Sequence, residues 1–428
     1  MPTARFQTLQ DWLSWQETLH PSAIELKLER IQTVAVRLGL NRSNSQNTKV
    51  ITVAGTNGKG SCVATLVGLL NHLGKRVGAY TSPHIERYNE RVAINGQAVK
   101  DAALCEAFEA IDQARQDISL TYFEFGTLAA FYVFQKAQLD YWVLEVGLGG
   151  RLDATNVMDA DLAVITPIAL DHCEWLGDTR EEIVLEKAGI CRTGKPAVIA
   201  DINVPKNLKP TLEAKGVPAV FIGQDYSVAA LPSGESAFDF GAYGGFQCLA
   251  RLPTPSMAAA VQALLVLGDL TPQHLNDANF VRAFSDIHLS GRLQTIEFKG
   301  QTIVLDVAHN PAAIDYAVKA LQQKSAKNYK IVFAAMQDKA YQAMLASLEP
   351  ICDAFYFCGL PGFPRAEAPE RFAEIASGRC FSSVAEGFTA AVADASATET
   401  SVLVIGSFYT VAEATHFMAN DGTTELLG

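Results

Sequence analysis

The sequence predicts an α/β protein with a mainly parallel sheet, followed by a smaller α/β unit. Short apolar, β-branched runs such as 50–54 and 162–166 are typical of buried strands, and they alternate with longer segments of helical periodicity. A second series of strands and helices begins near Thr302. Because strands and helices alternate, we expect ligands to bind at the carboxyl ends of parallel strands.

Helices are assigned where apolar residues recur at helical spacing. Segments 6–19 and 24–38 precede the first strand, and an apolar helix follows it, with Gly74 expected at its end. Further helices are predicted over 101–116, 123–138, 180–190 and 256–267.

Strands are assigned to short apolar runs that end at turn residues. In the first unit they are predicted over 50–54, 76–80, 141–146, 162–166 and 196–200. In the second unit they are predicted over 302–307, 330–335, 353–358 and 401–405. Segment 217–253 is rich in Gly, Ser and aromatic residues and predicts short strands, whereas 286–292 predicts a linker.

The composition limits the classes of protein to which this chain can belong. The 428 residues suit two or three domains, and 49% hydrophobic with 19% charged residues is ordinary for a globular chain. A net charge of −12 argues against a nucleic-acid or anionic-membrane partner. The eight cysteines have no CxxC spacing and are expected to be reduced. No apolar run approaches a membrane span, so we expect a cytoplasmic protein. We also expect it to be a monomer.

The turn after the first strand, residues 55–61, predicts a nucleotide phosphate site. Its glycines let backbone N–H groups face a phosphate, the following helix adds partial positive charge, and Lys59 adds a full charge. The match to GxxxxGK[ST] is imperfect, because Val53 occupies the first glycine position and Gly60 precedes Ser61. An ordinary turn would not need three glycines and a lysine. The expected nucleotide contacts are Gly55, Thr56, Asn57, Gly58, Lys59, Gly60 and Ser61.

Polar side chains at the ends of other strands predict a metal site. An acid at an apolar strand end is costly unless it is paired or bound to metal, so Glu145 is either a Mg²⁺ ligand or a structural acid. His172 follows a strand beside Asp171 and is either a ligand or a structural histidine. The hydroxyl of Ser61 would also face a phosphate-bound ion. This oxygen-rich set suits Mg²⁺ and not zinc.

Two further positions stay open when only the residues are considered. Lys187 lies in the predicted helix 180–190, where the simplest interpretation is an exposed lysine in a salt bridge. The turn DVAHNP, 306–311, ends a strand of the second unit. It is either a plain turn or a contact for a nucleotide or amino-acid substrate.

A set of motifs resembles the bacterial bifunctional dihydrofolate synthase/folylpolyglutamate synthase family. In chain order the motifs are GTNGKGS, SPHIERYNERV, LTYFEFGTLAAF, LEVGLGGRLDATN, ITPIALDH, EKAGI, SGRLQ and LDVAHNP. They cover nearly the whole chain and are weakest over 201–247. The wider superfamily is the ATP-dependent Mur ligases, which share the phosphate turn, the lysine and the AHNP turn.

The resemblance implies a fold and a reaction. It implies a P-loop, Mur-ligase-like domain over 1–287 that binds ATP and folate in its mainly parallel α/β sheet, and a smaller Rossmann-like glutamate ligase domain over 288–428. ATP would lie in the interdomain cleft and phosphorylate a carboxylate of dihydropteroate or of a tetrahydrofolate polyglutamate, after which L-glutamate would displace phosphate. Such chemistry relies on positioning and charge stabilisation.

The resemblance also implies roles for individual residues. Ser82, Glu145 and His172 match the family's magnesium ligands. Lys187 matches a lysine that CO₂ converts to a carbamate, so the expected catalytic residues are Lys59, Glu145, His172 and Lys187. ATP contacts are implied for Arg292 and Asp306, together with His309 and Asn310 of the AHNP turn. The implied dihydropteroate pocket consists of Glu25, Leu26, Lys27, Leu28, Thr121, Tyr122, Phe123, Glu124, Leu152, Asp153 and Ala154.

The sequence departs from the family at one expected ATP contact. Where the family usually has asparagine in a PxPN-type motif, this chain has Ser256, whose shorter side chain is expected to weaken the contact. Two other functions are considered. A Mur peptidoglycan ligase would need a UDP-sugar domain before Gly55, and a P-loop ATPase switch would need neither the AHNP turn nor Lys187.

Overall fold

Apolar strands form the frame of the first unit. The computed structural model describes residues 5–41, 47–324, 328–398, 400–421 and 424–426, and it divides into two units, Met1–Ile287 and His288–Gly428. The strands of the main sheet of the first unit are β1 Lys49–Ala54, β2 Val77–Tyr80, β3 Val92–Ile94, β4 Gln97–Ala98, β5 Tyr141–Glu145, β6 Leu162–Ile165, β7 Ala197–Ile199 and β8 Ala219–Phe221. Their order is β4-β3-β2-β5-β1-β6-β7-β8.

The register of this sheet places the candidate residues at one edge. In the order from β2 to β8 all neighbouring strands are parallel, whereas β3 runs antiparallel to both of its neighbours, β2 and β4. Val53 of β1 pairs with Glu145 of β5 on one side and with Val164 of β6 on the other. The turns that follow β1, β2, β5 and β6 therefore leave the sheet at the same edge.

Helices surround this sheet. They are α1 Leu9–Leu19, α2 Glu29–Arg37, α3 Lys59–His72, α4 Asp101–Arg115, α5 Tyr122–Ala137, α6 Cys173–Leu176, α7 Arg180–Lys187, α8 Leu208–Ala214, α9 Thr254–Val266, α10 Pro272–Leu275 and α11 Ala278–Ser285. The first helices pack with α4 and α5 in a core that includes Trp12, Phe108, Phe125 and Trp142. A separate antiparallel sheet is formed by β9 Ser227–Ala230, β10 Ser236–Asp239 and β11 Gly245–Cys248.

The second unit is a smaller α/β layer. Its strands are β12 Gln294–Phe298, β13 Gln301–Leu305, β14 Tyr329–Phe333, β15 Cys352–Cys358, β16 Gly378–Phe381, β17 Ser401–Ile405 and β18 Thr424–Leu426, in the order β16-β15-β14-β17-β13-β12-β18. In the order from β16 to β13 the neighbouring strands are parallel, whereas β12 runs antiparallel to both of its neighbours, β13 and β18. Its helices are α12 Pro311–Lys324, α13 Tyr341–Leu348, α14 Pro369–Ala373, α15 Val384–Thr398 and α16 Phe408–Asp421.

The mainly parallel α/β prediction is confirmed, but some boundaries were wrong. The second helix begins at Glu29 and not at residue 24, because Glu25 is held in a loop by ion pairs. The helix from 180 ends at Lys187 and continues as a 3₁₀ turn, Ala188–Ile190. The strands Gln294–Phe298 and Gly378–Phe381 were not assigned, since their partly exposed patterns lack a continuous apolar run.

Two further observations concern the cysteines and the helices. All eight cysteines are free, and four of them are buried. Among the residues that the structure describes, no helix combines the length and apolar character needed to cross a bilayer.

Candidate active site

The phosphate turn, residues 55–61, is closed by its own lysine. The Nζ of Lys59 donates to the carbonyl oxygens of Gly55 at 3.1 Å and Thr56 at 3.2 Å. Gly58 is the N-cap residue of α3 and has a φ of +82°, which favours glycine. A Cβ on Gly55 would lie 1.8 Å from the Oγ1 of Thr166, so this turn packs tightly against the segment after β6. A bound phosphate would replace the carbonyls as the partner of Lys59.

Two buried serine hydroxyls at the phosphate turn have no hydrogen-bond partner among the described residues. They are the Oγ atoms of Ser61 and Ser256. The Oγ of Ser256 lies 2.2 Å from the position that a Cβ on Gly58 would take. A buried polar atom without a partner is destabilising, so such atoms commonly mark a place where a ligand, ion or water binds. The position of both hydroxyls fits a nucleotide, and that of Ser61 fits a phosphate-bound Mg²⁺.

Glu145 connects the turn after β2 with the start of α3. Its side chain is buried, and its Oε2 accepts a hydrogen bond of 3.3 Å from the backbone N–H of Ser82. Burial, and then the negative charge of Glu145, raise the pKa of the Cys62 thiol in the first turn of α3. The structure therefore brings three of the predicted magnesium ligands, Ser61, Ser82 and Glu145, to the same edge of the sheet.

His172 lies at the start of the short helix α6. Its backbone is left-handed, with a φ of +54°, and its Nε2 is 3.9 Å from the Oδ1 of Asp171. Within the described residues, no group of three or more His, Cys, Asp or Glu side chains is placed to hold a metal ion. The predicted set contains only two such residues, because its other members are serines. Serine hydroxyl and carboxylate oxygens are ligands that suit Mg²⁺.

Lys187 is buried, so the interpretation of an exposed lysine in a salt bridge is wrong. Its exposed fraction is 4%. Burial and, to a lesser extent, the positive charge of Lys59 together lower the pKa of Lys187 to about 7, whereas Asp171 and Asp153 oppose this change. The lysine of the EKAGI motif is therefore buried where the charges of Lys59, Asp153 and Asp171 all influence its amine.

The loop after β5 packs directly on the helix of Lys187. The backbone N–H of Arg151 donates to the carbonyl of Glu186 at 2.8 Å. A Cβ on Gly150 would lie 2.8 Å from that carbonyl oxygen and 2.9 Å from the Cα of Lys187, so only glycine allows this approach. Asp153 is buried and accepts hydrogen bonds from the backbone N–H of Leu148 at 2.9 Å and from Thr155, and burial raises its pKa.

The segments predicted to hold the pteroate are joined by side chains. Glu25 contacts Lys27 at 2.7 Å and Arg30 at 2.5 Å, and Arg30 also contacts Glu124 at 3.1 Å. Hydrogen bonds from Lys27 and His20 lower the pKa of Glu25 to about 2. Segments 25–28 and 121–124 therefore lie next to each other.

Aromatic contacts connect these segments with the loop after β5. A Cβ on Gly147 would lie 2.5 Å from the ring of Phe123, and the ring of Phe123 is 5.8 Å from that of Tyr80. Tyr122 has the guanidinium of Arg91 5.7 Å from its ring centre. Leu152 lies in the same loop as Asp153, and Ala154 is buried at the start of a 3₁₀ turn. Leu26 and Leu28 are partly buried.

In the second unit the four predicted residues lie around the turn after β13. Asp306 is buried and accepts hydrogen bonds of 2.8 Å from the backbone N–H groups of Leu293 and Ala308. Burial raises the pKa of Asp306, and the positive charge of Arg292 opposes this change. The Oδ1 of Asn310 accepts a hydrogen bond of 3.0 Å from the backbone N–H of Ala313 in the first turn of α12.

Sequence reasoning missed several residues that contact the predicted ones. The ring of Phe408 is 5.2 Å from the guanidinium of Arg292 and 5.7 Å from the ring of His309. Arg30, His20 and Arg91 contact the predicted pteroate segments. Each lies close to a recognised motif, yet a charged or aromatic residue near a motif is too common to be selected without the three-dimensional contact.

The chain matches families and proteins of known activity. The family models described as Mur ligase middle domain and as Mur ligase, glutamate ligase domain match residues 53–234 and 291–408. The dihydrofolate synthase/folylpolyglutamate synthase of Escherichia coli (strain K12) is 41% identical over 409 residues, which are 94% of this chain and 94% of that protein.

Solved structures match over the same length. E. coli FolC in complex with DHPP and ADP gives a TM-score of 0.90 at 40% identity, over 99% of this chain and 100% of that chain. A bifunctional folylpolyglutamate synthase/dihydrofolate synthase with Mn, AMPPNP and L-glutamate bound gives a TM-score of 0.86 at 39% identity, over 98% and 99% of the two chains.

Proposed function

Because the chain belongs to the dihydrofolate synthase/folylpolyglutamate synthase family of Mur ligases, we propose that it joins L-glutamate to dihydropteroate and to tetrahydrofolate polyglutamates. It is an ATP-dependent acid–amino-acid ligase of folate metabolism. The observation that carries the proposal for its site is the burial of Lys187, whose pKa is lowered to about 7 by burial and by the charge of Lys59, because a switch ATPase has no use for such a second lysine.

The reaction needs an activated carboxylate. A carboxylate oxygen of the folate substrate attacks the γ-phosphorus of ATP, and ADP leaves, which gives an acyl phosphate. The amino group of L-glutamate then attacks the acyl carbon, loses a proton, and expels inorganic phosphate as the amide forms. Backbone N–H groups of the phosphate turn and the Nζ of Lys59 would hold the phosphate oxygens, so the chain contributes orientation and charge stabilisation.

Ser61, Ser82, Glu145 and His172 would hold Mg²⁺, which supplies positive charge to the phosphate oxygens when bound. The neutral amine of Lys187, whose pKa is lowered to about 7, would attack the carbon of CO₂ and release one N–H proton to solvent. The resulting carbamate is an anion and would neutralise the excess positive charge that Lys59 brings to the site.

Each unit would take one part of the task. Residues 1–287 would bind ATP and folate, which the phosphate turn and the joined segments 25–28 and 121–124 support. Residues 288–428 would act as the glutamate ligase domain, which the family match over 291–408 supports, and Arg292, Asp306, His309 and Asn310 would contact ATP. A monomer in the cytoplasm remains our prediction, and analytical ultracentrifugation tests the oligomeric state.

The test of the reaction is ADP release with substrates omitted one at a time. We expect appreciable release only when ATP, Mg²⁺, a pteroate or folate, and L-glutamate are all present. Equal release without a folate would support an ATPase switch instead, and release with a UDP-muramyl peptide and its amino acid would support a peptidoglycan ligase.

The two acceptors are tested separately. We expect the purified protein to form dihydrofolate from dihydropteroate and also to extend tetrahydrofolate. Extension of tetrahydrofolate without any activity on dihydropteroate would limit the function to polyglutamate synthesis.

A further inference from the structure

A series of polar side-chain contacts connects the two segments that are proposed to bind the pteroate, 25–28 and 121–124. The Nδ1 of His20 is 2.9 Å from the Oγ of Ser119, and its Nε2 is 2.8 Å from the Oε2 of Glu25. The same Oε2 is 2.5 Å from Arg30, which reaches Glu124 with its other terminal nitrogen at 3.1 Å.

The series of contacts closes on itself through the capping box of α5. Glu124 accepts a hydrogen bond of 2.8 Å from the backbone N–H of Thr121, which lies two residues after Ser119. Its own backbone N–H donates to the Oγ1 of Thr121 at 3.2 Å. The end of α1, the loop before α2 and the start of α5 are thus tied into one ring of side chains, which we call the polar ring (His20, Glu25, Arg30, Ser119, Thr121 and Glu124).

We propose that Arg30 is a positioning residue that sets the distance between segments 25–28 and 121–124, and so controls the affinity for the pteroate part of the substrate. The proposal rests on the proposed function, since it assigns a role within the pteroate pocket. Arg30 is the only member of the polar ring that contacts a carboxylate in each segment. Its planar guanidinium can bind two carboxylates at once in fixed directions, which the single ammonium of a lysine does not reproduce.

Because Arg30 and Glu124 are largely buried, the ion pair between them controls how segments 25–28 and 121–124 are placed. The side chain of Glu124 is only 4% exposed and that of Arg30 only 19%. A buried carboxylate that loses its cation is strongly destabilised, so Glu124 would turn away or recruit water when Arg30 is removed. Either response displaces the start of α5 from the loop before α2. The phosphate turn is built on β1 and α3, which the polar ring does not include.

The experiment compares Arg30→Met, Arg30→Lys and wild type in the ligation of L-glutamate to dihydropteroate. Arg37→Met is the matched control, because Arg37 lies on the same helix and donates to the carbonyls of Ala114 and Arg115, outside the pteroate segments. We expect Arg30→Met to raise the KM for dihydropteroate at least about tenfold, with a smaller rise for Arg30→Lys. We expect the KM for ATP and the kcat to change less than about threefold, and Arg37→Met to resemble wild type.

The outcomes separate the inference from the proposed function. A KM for dihydropteroate within about twofold of wild type in Arg30→Met overturns the inference, and so does an equal rise in the KM values for ATP and dihydropteroate. If Arg30→Met does not fold, Arg30→Lys and Glu124→Gln provide the same comparison, and an unchanged KM for dihydropteroate in both overturns the inference. A wild-type protein that does not use dihydropteroate or tetrahydrofolate overturns the proposed function and this inference together.

Discussion

The positive charge of Lys59 acts on Lys187 and lowers its pKa. Together with burial, which has the larger effect, it brings the pKa of Lys187 to about 7. Two cations beside one phosphate site would repel each other if both kept their protons. Near neutral pH a large share of Lys187 is therefore the neutral amine, which is the form that adds CO₂. This relationship connects the phosphate turn with the EKAGI lysine and leads to the first two predictions.

Replacing Lys187 is expected to remove most of the activity. Lys187→Ala should lower kcat much more than it raises the KM for ATP, because the carbamate would stabilise the transition state of phosphoryl transfer. Lys187→Arg should do no better, since a guanidinium keeps its proton and cannot be carboxylated. Steady-state kinetics with and without added bicarbonate measure both effects.

The neighbouring acid provides the control for Lys187. Glu186 pairs with the exposed Arg151 at 2.9 Å, and Glu186→Gln should keep near-normal turnover. Near-normal kcat in Lys187→Ala would contradict the carbamate, and so would a structure with bicarbonate and Mg-nucleotide that shows an unmodified Nζ.

The buried lysine also predicts how stability depends on pH. The pKa of Lys187 is about 7 in the folded chain, against an ordinary value of 10.5. Below pH 7 the folded chain must bury the ammonium form of Lys187, which destabilises it. Between pH 7 and 10.5 the folded chain has released this proton, whereas the unfolded chain retains it. The contribution of Lys187 to the free energy of unfolding therefore rises with pH over this range. In CO₂-free buffer, Lys187→Met should therefore raise the Tm most near pH 6 and least near pH 10.

An exposed lysine provides the control that tests whether this dependence of the Tm on pH is specific to Lys187. Lys195 forms a surface pair with Asp161 at 3.0 Å, and Lys195→Met should change the Tm little, without this trend with pH. A difference between wild type and Lys187→Met that stays constant from pH 6 to pH 10 would contradict the lowered pKa.

Removal of the carboxylate of Glu145 is expected to weaken the use of Mg²⁺. Glu145→Gln keeps the shape of the side chain and an acceptor for the N–H of Ser82, but it loses the negative charge. The Mg²⁺ concentration for half-maximal activity should rise about tenfold or more, because a charged ligand is replaced by a neutral one. Glu174→Gln, which changes an exposed acid beside His172, should leave that concentration unchanged.

The hydroxyl of Ser256 is expected to contact the nucleotide. A neutral hydrogen bond contributes about 0.5–1.5 kcal/mol, so Ser256→Ala should raise the KM for ATP roughly threefold to tenfold. Ser256→Asn, which restores the family's usual residue, should lower it. Ser285→Ala is the control, because Ser285 donates to the carbonyl of Leu249 at the surface. An unchanged KM in both Ser256 variants would show that another residue makes the contact.

Local sequence patterns were sufficient to predict most helices and strands and to recognise the phosphate turn. The strand 401–405 was predicted with its observed boundaries, and the helix 101–116 ended within one residue of the observed one. The glycines and Lys59 could be recognised because their chemistry depends on neighbours within a few residues. The second helix was predicted too early, since its apolar spacing continues over residues 24–28 while ion pairs with His20 and Arg30 keep Glu25 in a loop.

The sequence by itself determined the mainly parallel α/β class, the phosphate turn and which polar residues end which strands. Only the tertiary structure decided that Lys187 is buried beside Lys59, that Arg30 joins Glu25 to Glu124, and that Phe408 contacts Arg292. Hydrophobic periodicity and turn chemistry act over a few residues and can be read along the chain. Burial, and the pKa that follows from it, depends on contacts between segments far apart in the sequence. Arg30 and Glu124, for example, are 94 positions apart.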